Sequence, residues 1–83
     1  MQTQRDSKGH IYGRVGNIRI TYIPAADREP DKDWPGSDVI RIQAYKDSIS
    51  ESLHRGAEFP VSSASDFGEL VGAICQVYAE ATI

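Results

Sequence analysis

Tyrosine and arginine side chains set at alternate positions along short apolar segments are the residues of this chain best suited to chemistry. In residues 11–15, 18–23 and 39–45 apolar and polar groups alternate as in half-buried strands, so Tyr12, Arg14, Arg19, Thr21, Arg41, Gln43 and Tyr45 share the polar face. Tyrosine rings offer planes on which unpaired bases stack, at roughly 1–3 kcal/mol per base, and guanidinium groups pair with phosphates. That combination suits single-stranded nucleic acid. An ordinary solvated sheet face is the plainer alternative, since Arg, Thr and Tyr are common there. One detail asks for more: the expected hairpin sets Arg14 directly across from Arg19, and like charges in register repel unless an anion or carboxylate lies between them.

The elements that must position these groups follow from the same pattern. Residues 11–15 and 18–23 form a hairpin around Gly16-Asn17, a pair that suits a type II′ turn, with Val15 opposite Ile18 and Tyr12 opposite Thr21. Residues 24–37 hold three prolines and six charges and read as a long exposed connection. A third strand covers 39–45, a polar turn 46–51, and a weaker strand returns over 52–61, broken at Gly56 and closed by Pro60. Ser63 with Asp66 approximates a capping box, the cap itself being open among Ser62, Ser63 and Ser65, and Phe67, Leu70, Val71, Ile74, Cys75 and Tyr78 recur at spacings of three and four. The expected fold is therefore α+β: a small antiparallel sheet of about four strands with one carboxy-terminal amphipathic helix packed on it. Gly68 and Gly72, poor helix formers four residues apart, mark a flank for close approach by another backbone and a candidate dimer contact.

Length and composition bound what such a fold does. Residues 1–9 read as a flexible amino terminus and 10–83 as one domain, which at this size buries only roughly 60% of its unfolded surface, so a partner subunit is expected. A single cysteine, Cys75, excludes an internal disulfide and a cysteine zinc cage, and the chain has no signal-like or membrane-spanning apolar run; a cytoplasmic setting fits best. The net charge of −3 opposes the simplest nucleic-acid reading, but Asp27, Glu29, Asp31 and Asp33 lie in one short stretch, so that a sheet elsewhere can be locally basic. That stretch, Asp27 to Asp33, imitates a calcium loop badly, with Lys32 where glycine is needed, Pro30 at the fourth position and no flanking helices, so no metal is expected. Beside it Trp34 either folds back as a lid on the core, the favoured outcome, or anchors a protein partner together with Asp31 and Asp33. His10 and His54 are isolated, Cys75 falls on the helix stripe, and no nucleophile, base and orienter set exists; neither catalysis nor a cofactor is expected.

Residues 39–78 resemble the carboxy-terminal domain of the positive cofactor four coactivators, related in fold to the Whirly single-stranded-DNA-binding proteins. The matching parts are Arg41-Ile42-Gln43-Ala44-Tyr45, Lys46-Asp47, His54-Arg55-Gly56, Phe59-Pro60-Val61-Ser62 and Ser65-Asp66-Phe67. The resemblance implies four antiparallel strands followed by a helix, a homodimer, and single-stranded DNA held across the sheets by Arg41, Tyr45, Lys46, His54 and Arg55. The family's binding strands are usually basic, whereas this chain is acidic overall and carries an additional charged loop.

The expected function is a non-catalytic single-stranded DNA- or RNA-binding protein, of the kind that regulates transcription. Its site is Tyr12, Arg14, Arg19, Arg41, Gln43, Tyr45, Lys46 and Arg55. The alternative is a small acidic protein-interaction module, such as a phage or mobile-element inhibitor of a host protein, including anti-CRISPR-like proteins and nucleic-acid mimics.

Overall fold

The structure, a computed structural model, describes residues Met1–Ile83. Five strands, β1 (Thr3–Arg5), β2 (Ile11–Val15), β3 (Ile18–Ile23), β4 (Val39–Ala44) and β5 (Ala57–Pro60), form one antiparallel sheet in chain order, and helix α1 (Ala64–Ala81) follows. The α+β class is as expected, with one strand more. The additional strand lies within the amino terminus expected to be flexible: Thr3, Gln4 and Arg5 pair with Gly13, Tyr12 and Ile11, and the turn back is closed by Asp6, whose carboxylate accepts from the backbone N–H of Lys8 and His10. Polar side chains concealed it, because an edge strand with little burial on either face has no alternating pattern to read.

The hairpin register is the expected one, Tyr12 with Thr21, Arg14 with Arg19 and Val15 with Ile18. Its turn uses Gly16 at φ +58°, the left-handed value that the first central position of a type II′ turn requires. Carried across the sheet, the register aligns Tyr12, Thr21, Arg41 and Glu58 on one face and Gly13, Ile20, Ile42 and Ala57 on the other. The return strand is shorter than residues 52–61: Leu53 makes one isolated bridge to Tyr45, and β5 begins only at Ala57. Gly56 explains the step between them. A Cβ there would stand 2.0 Å from the backbone oxygen of Ile42, so the chain passes β4 at a distance only glycine permits.

Burial is reversed relative to the expected core. The buried residues Thr21, Ile23, Val39 and Tyr45 lie on the face that carries the arginines, because the loop after β3 folds back over it. The fifth buried residue, Gly13, lies on the isoleucine face beneath the Met1 side chain; the rest of that face is at best half-buried, and no residue of α1 is buried. Within the chain, therefore, the helix does not cover the sheet as expected; only Phe67 and Leu70, near its start, are half-buried. The helix itself begins where the capping signal places it. Ser63 is the N-cap and its Oγ accepts from the Asp66 N–H at 3.1 Å, while Ser62 Oγ donates to the Asp66 carboxylate at 2.8 Å. Cys75, expected on a buried stripe, is exposed for the same reason that the rest of the stripe is. No helix is long and apolar enough to cross a membrane.

Candidate nucleic-acid interface

The alternation of β2, β3 and β4 brings Tyr12, Arg14, Arg19, Arg41, Gln43 and Tyr45 to one face. The like-charge pair is resolved internally: the Arg14 guanidinium lies 4.0 Å over the Tyr45 ring and that of Arg19 lies 3.7 Å over the Tyr12 ring. Each arginine thus turns away from the other onto an aromatic quadrupole, a contact worth about 0.5–1 kcal/mol where exposed and more when desolvated. Arg14 Nε also donates to the Gly16 carbonyl at 2.9 Å, and Arg19 approaches the Asp6 carboxylate at 3.8 Å. The tyrosines are consequently less open than expected. Tyr45 is only 3% exposed, so its ring presents no free plane, and Tyr12 donates its hydroxyl to Gln4 on β1.

The loop between β3 and β4 is tied to this face by a clamp invisible in local sequence. Arg28, its side chain only 3% exposed, donates through both terminal nitrogens to the two oxygens of Glu58, at 3.1 and 3.2 Å, and also to the Asp33 carbonyl at 2.5 Å. Arg41 donates to the same Glu58 carboxylate through Nε at 2.8 Å. Burial alone would raise the Glu58 pKa, but the hydrogen bonds and charges of the two guanidinium groups outweigh it and hold the carboxyl below its ordinary range. At the other end of the loop, His10 Nε2 donates to Asp27 at 2.9 Å while its Nδ1 lies 3.8 Å from Asp6. Burial again opposes ionisation of Asp6, and again loses, here to backbone donors from His10 and Lys8 and the charges of His10 and Arg19. A third tie is Asp38, which accepts from the Tyr22 hydroxyl and the Ala25 N–H; this lowers the Asp38 pKa and raises that of Tyr22.

Two concavities open on the face so built. One, of about 610 Å³, runs between the β1–β2 turn and the loop and includes Lys8, Arg19, Arg28, Lys32 and Arg41 with Asp6, Asp27 and Glu29. The other, of about 330 Å³, is lined by Lys32, Asp33, Trp34, Arg41, Gln43, Arg55, Gly56 and Glu58. Lys32 and Arg41 belong to both, so the two form one track. Together they hold six cationic side chains against five carboxylates, in a chain whose net charge is −3. Trp34 is not the expected lid: it is 48% exposed, at φ +59°, and stands beside Arg41, Gln43 and Arg55. The loop's ion pairs close it over the sheet without the indole. Arg41, 37% exposed in its side chain, engages Glu58 through Nε alone and leaves its terminal nitrogens without a protein partner.

Of the residues expected from sequence, the second concavity gathers Arg41, Gln43 and Arg55 of the nucleic-acid face with Trp34 and Asp33 of the candidate partner surface. Lys46 lies in the exposed segment after β4 and Asp31 on the outside of the loop, both away from either concavity. Lys8, Arg28, Lys32 and Glu58 were missed. Glu58 was within reach, since the register that follows from β4 and β5 sets it beside Arg41; Arg28 gave no signal, its partner being thirty residues away. No cluster of three or more His, Cys, Asp or Glu side chains is placed to hold a metal ion. Comparison with family models, curated proteins and solved structures finds no match.

Proposed function

We propose that this chain is a non-catalytic single-stranded nucleic-acid-binding protein of the kind that regulates transcription, and that the track from Lys8 to Arg55 is its binding surface. The observation that carries the reading is the meeting of an exposed indole, Trp34, with Arg41, Gln43, Arg55 and Lys32 in one groove. That is a stacking platform flanked by phosphate-pairing cations. Arg14 adds a second platform. Its guanidinium is held 4.0 Å over the Tyr45 ring, and bases stack on guanidinium planes as they do on aromatic rings. The resemblance of residues 39–78 to the coactivator domain supports the reading at Arg41 and Arg55, the two of its implied contacts that line the track.

The test is fluorescence anisotropy with labelled single-stranded DNA and RNA at several salt concentrations. If one chain neutralises about three phosphates, log affinity falls against log salt with a slope of about −2. Arg14→Ala with Arg41→Ala weakens binding severalfold and makes the slope shallower. Absence of binding at low salt, or a flat salt response, overturns the proposal.

A second reading, an acidic protein-interaction module, is favoured by the exposure of Trp34 between Asp33 and Pro35 on a loop that also displays Asp31. Asp31→Ala with Asp33→Ala separates the two. Loss of these carboxylates leaves nucleic-acid affinity unchanged or raised under the first reading and removes partner binding under the second.

A further inference from the structure

The chain exposes two apolar surfaces that match each other. One is the sheet face formed by Ile18, Ile20, Ile40, Ile42 and Phe59, which are only half-buried: Met1 covers this face at Gly13, and no residue of α1 is buried against it. The other is the stripe of α1 that includes Val71, Ile74, Cys75 and Tyr78, all exposed. A compact monomer of this mass, 9.2 kDa, has an accessible surface of about 4,900 Å². This chain has 6246 Å². Its radius of gyration, 14.0 Å, also exceeds the about 12 Å expected of a compact domain of this length. The excess surface is roughly 1,300 Å², so two copies that each gave it up would bury about 2,600 Å² together, within the range of obligate homodimers.

We infer that α1 of one copy lies on the isoleucine face of a second copy, and reciprocally, in a two-fold dimer. A second copy is the occupant the page favours, because a two-fold exchange covers both exposed surfaces at once with no further component. Charge agrees. The helix carries Asp66, Glu69 and Glu80 and no cation, so direct helix-on-helix pairing brings like charges together, whereas the isoleucine face is uncharged. Gly68 and Gly72 agree as well: an added Cβ at either meets nothing in the chain within 4 Å, so their smallness serves no contact inside the protomer. The exchange uses the sheet face opposite Trp34 and Arg41, and leaves the track of both copies open.

Two measurements test this, neither of them dependent on nucleic-acid binding. Light scattering after gel filtration at micromolar concentration gives twice the chain mass of 9.2 kDa for the native protein and a shift to the single-chain mass for Ile74→Asp. The second keeps the test decisive should that variant not fold. A tagged chain with Ile42→Cys and Cys75→Ser is mixed with the native chain, whose only cysteine is Cys75, and treated with a short bismaleimide. A mixed covalent dimer of tagged and native chains is the expected product. A particle of single-chain mass, or cross-linking confined to Cys75 with Cys75, overturns the proposal: the first means that α1 folds back on its own sheet, the second that helices pair with each other.

Discussion

At the scale of single residues, Glu58 does the most. One carboxylate receives both terminal nitrogens of Arg28 and the Nε of Arg41, and so fastens the charged loop to the sheet. Removing it leaves Arg28 buried without its partner, and Arg28 already has one buried nitrogen, Nε, that donates to nothing. Glu58→Ala is expected to lower unfolding free energy by about 2–3 kcal/mol, at the low end for a broken buried pair because Glu58 keeps some access to water. Urea unfolding checks this. The pH dependence has a definite sign. Since folding lowers the Glu58 pKa, the stabilisation is fully present above the ordinary value of 4.5 and is lost as pH falls through the depressed one. Unfolding curves from about pH 6 to about pH 3 should show a steeper loss of stability in the native chain than in Glu58→Gln, which has no charge to lose.

At the scale of elements, the junction between Leu53 and β5 is the place where side-chain volume decides the fold. Gly56→Ala puts a Cβ onto the Ile42 carbonyl, part of the backbone of β4, which cannot swing aside as a side chain would. The expected cost is roughly 2–3 kcal/mol, from displacement of β5 and with it Glu58 from the clamp. Gly68→Ala in α1 meets no such obstacle within the chain. Parallel unfolding of the two variants checks the contrast: equal stability would mean that the backbone approach at Gly56 is unimportant. The hairpin of β2 and β3 answers a related question about charge. Arg14 and Arg19 are in register, yet no bound anion is needed, because each guanidinium has its own tyrosine.

At the scale of the whole molecule, a five-stranded sheet with one face clamped by a polar loop and the other largely bare is an incomplete core. Only five residues of the chain are buried, too few to offset the conformational entropy of ordering it. Stability that depends on association depends on concentration. The thermal midpoint is therefore expected to rise with protein concentration over about two decades, as it does when only the assembled state is folded. A midpoint independent of concentration, together with a single-chain mass, would identify a monomer. Under the proposed function, two tracks held in one dimer would bind a long strand with greater avidity than either alone.

What the sequence by itself determined is what short-range physics controls. The two-residue side-chain period, with Gly16 at the turn, set the β2–β3 register and the division of tyrosines and arginines from isoleucines. The serine cap placed the start of α1, and the spacing of three and four its apolar stripe. The tertiary structure decided which face is buried, where Trp34 stands, and that Arg28 meets Glu58, because each depends on how the loop between β3 and β4 closes. That closure is fixed by ion pairs between residues far apart in the chain, which leave no periodic trace along it. The first strand escaped for the complementary reason: it is held by backbone hydrogen bonds, which every sequence can make, and hardly at all by the side chains by which strands are recognised.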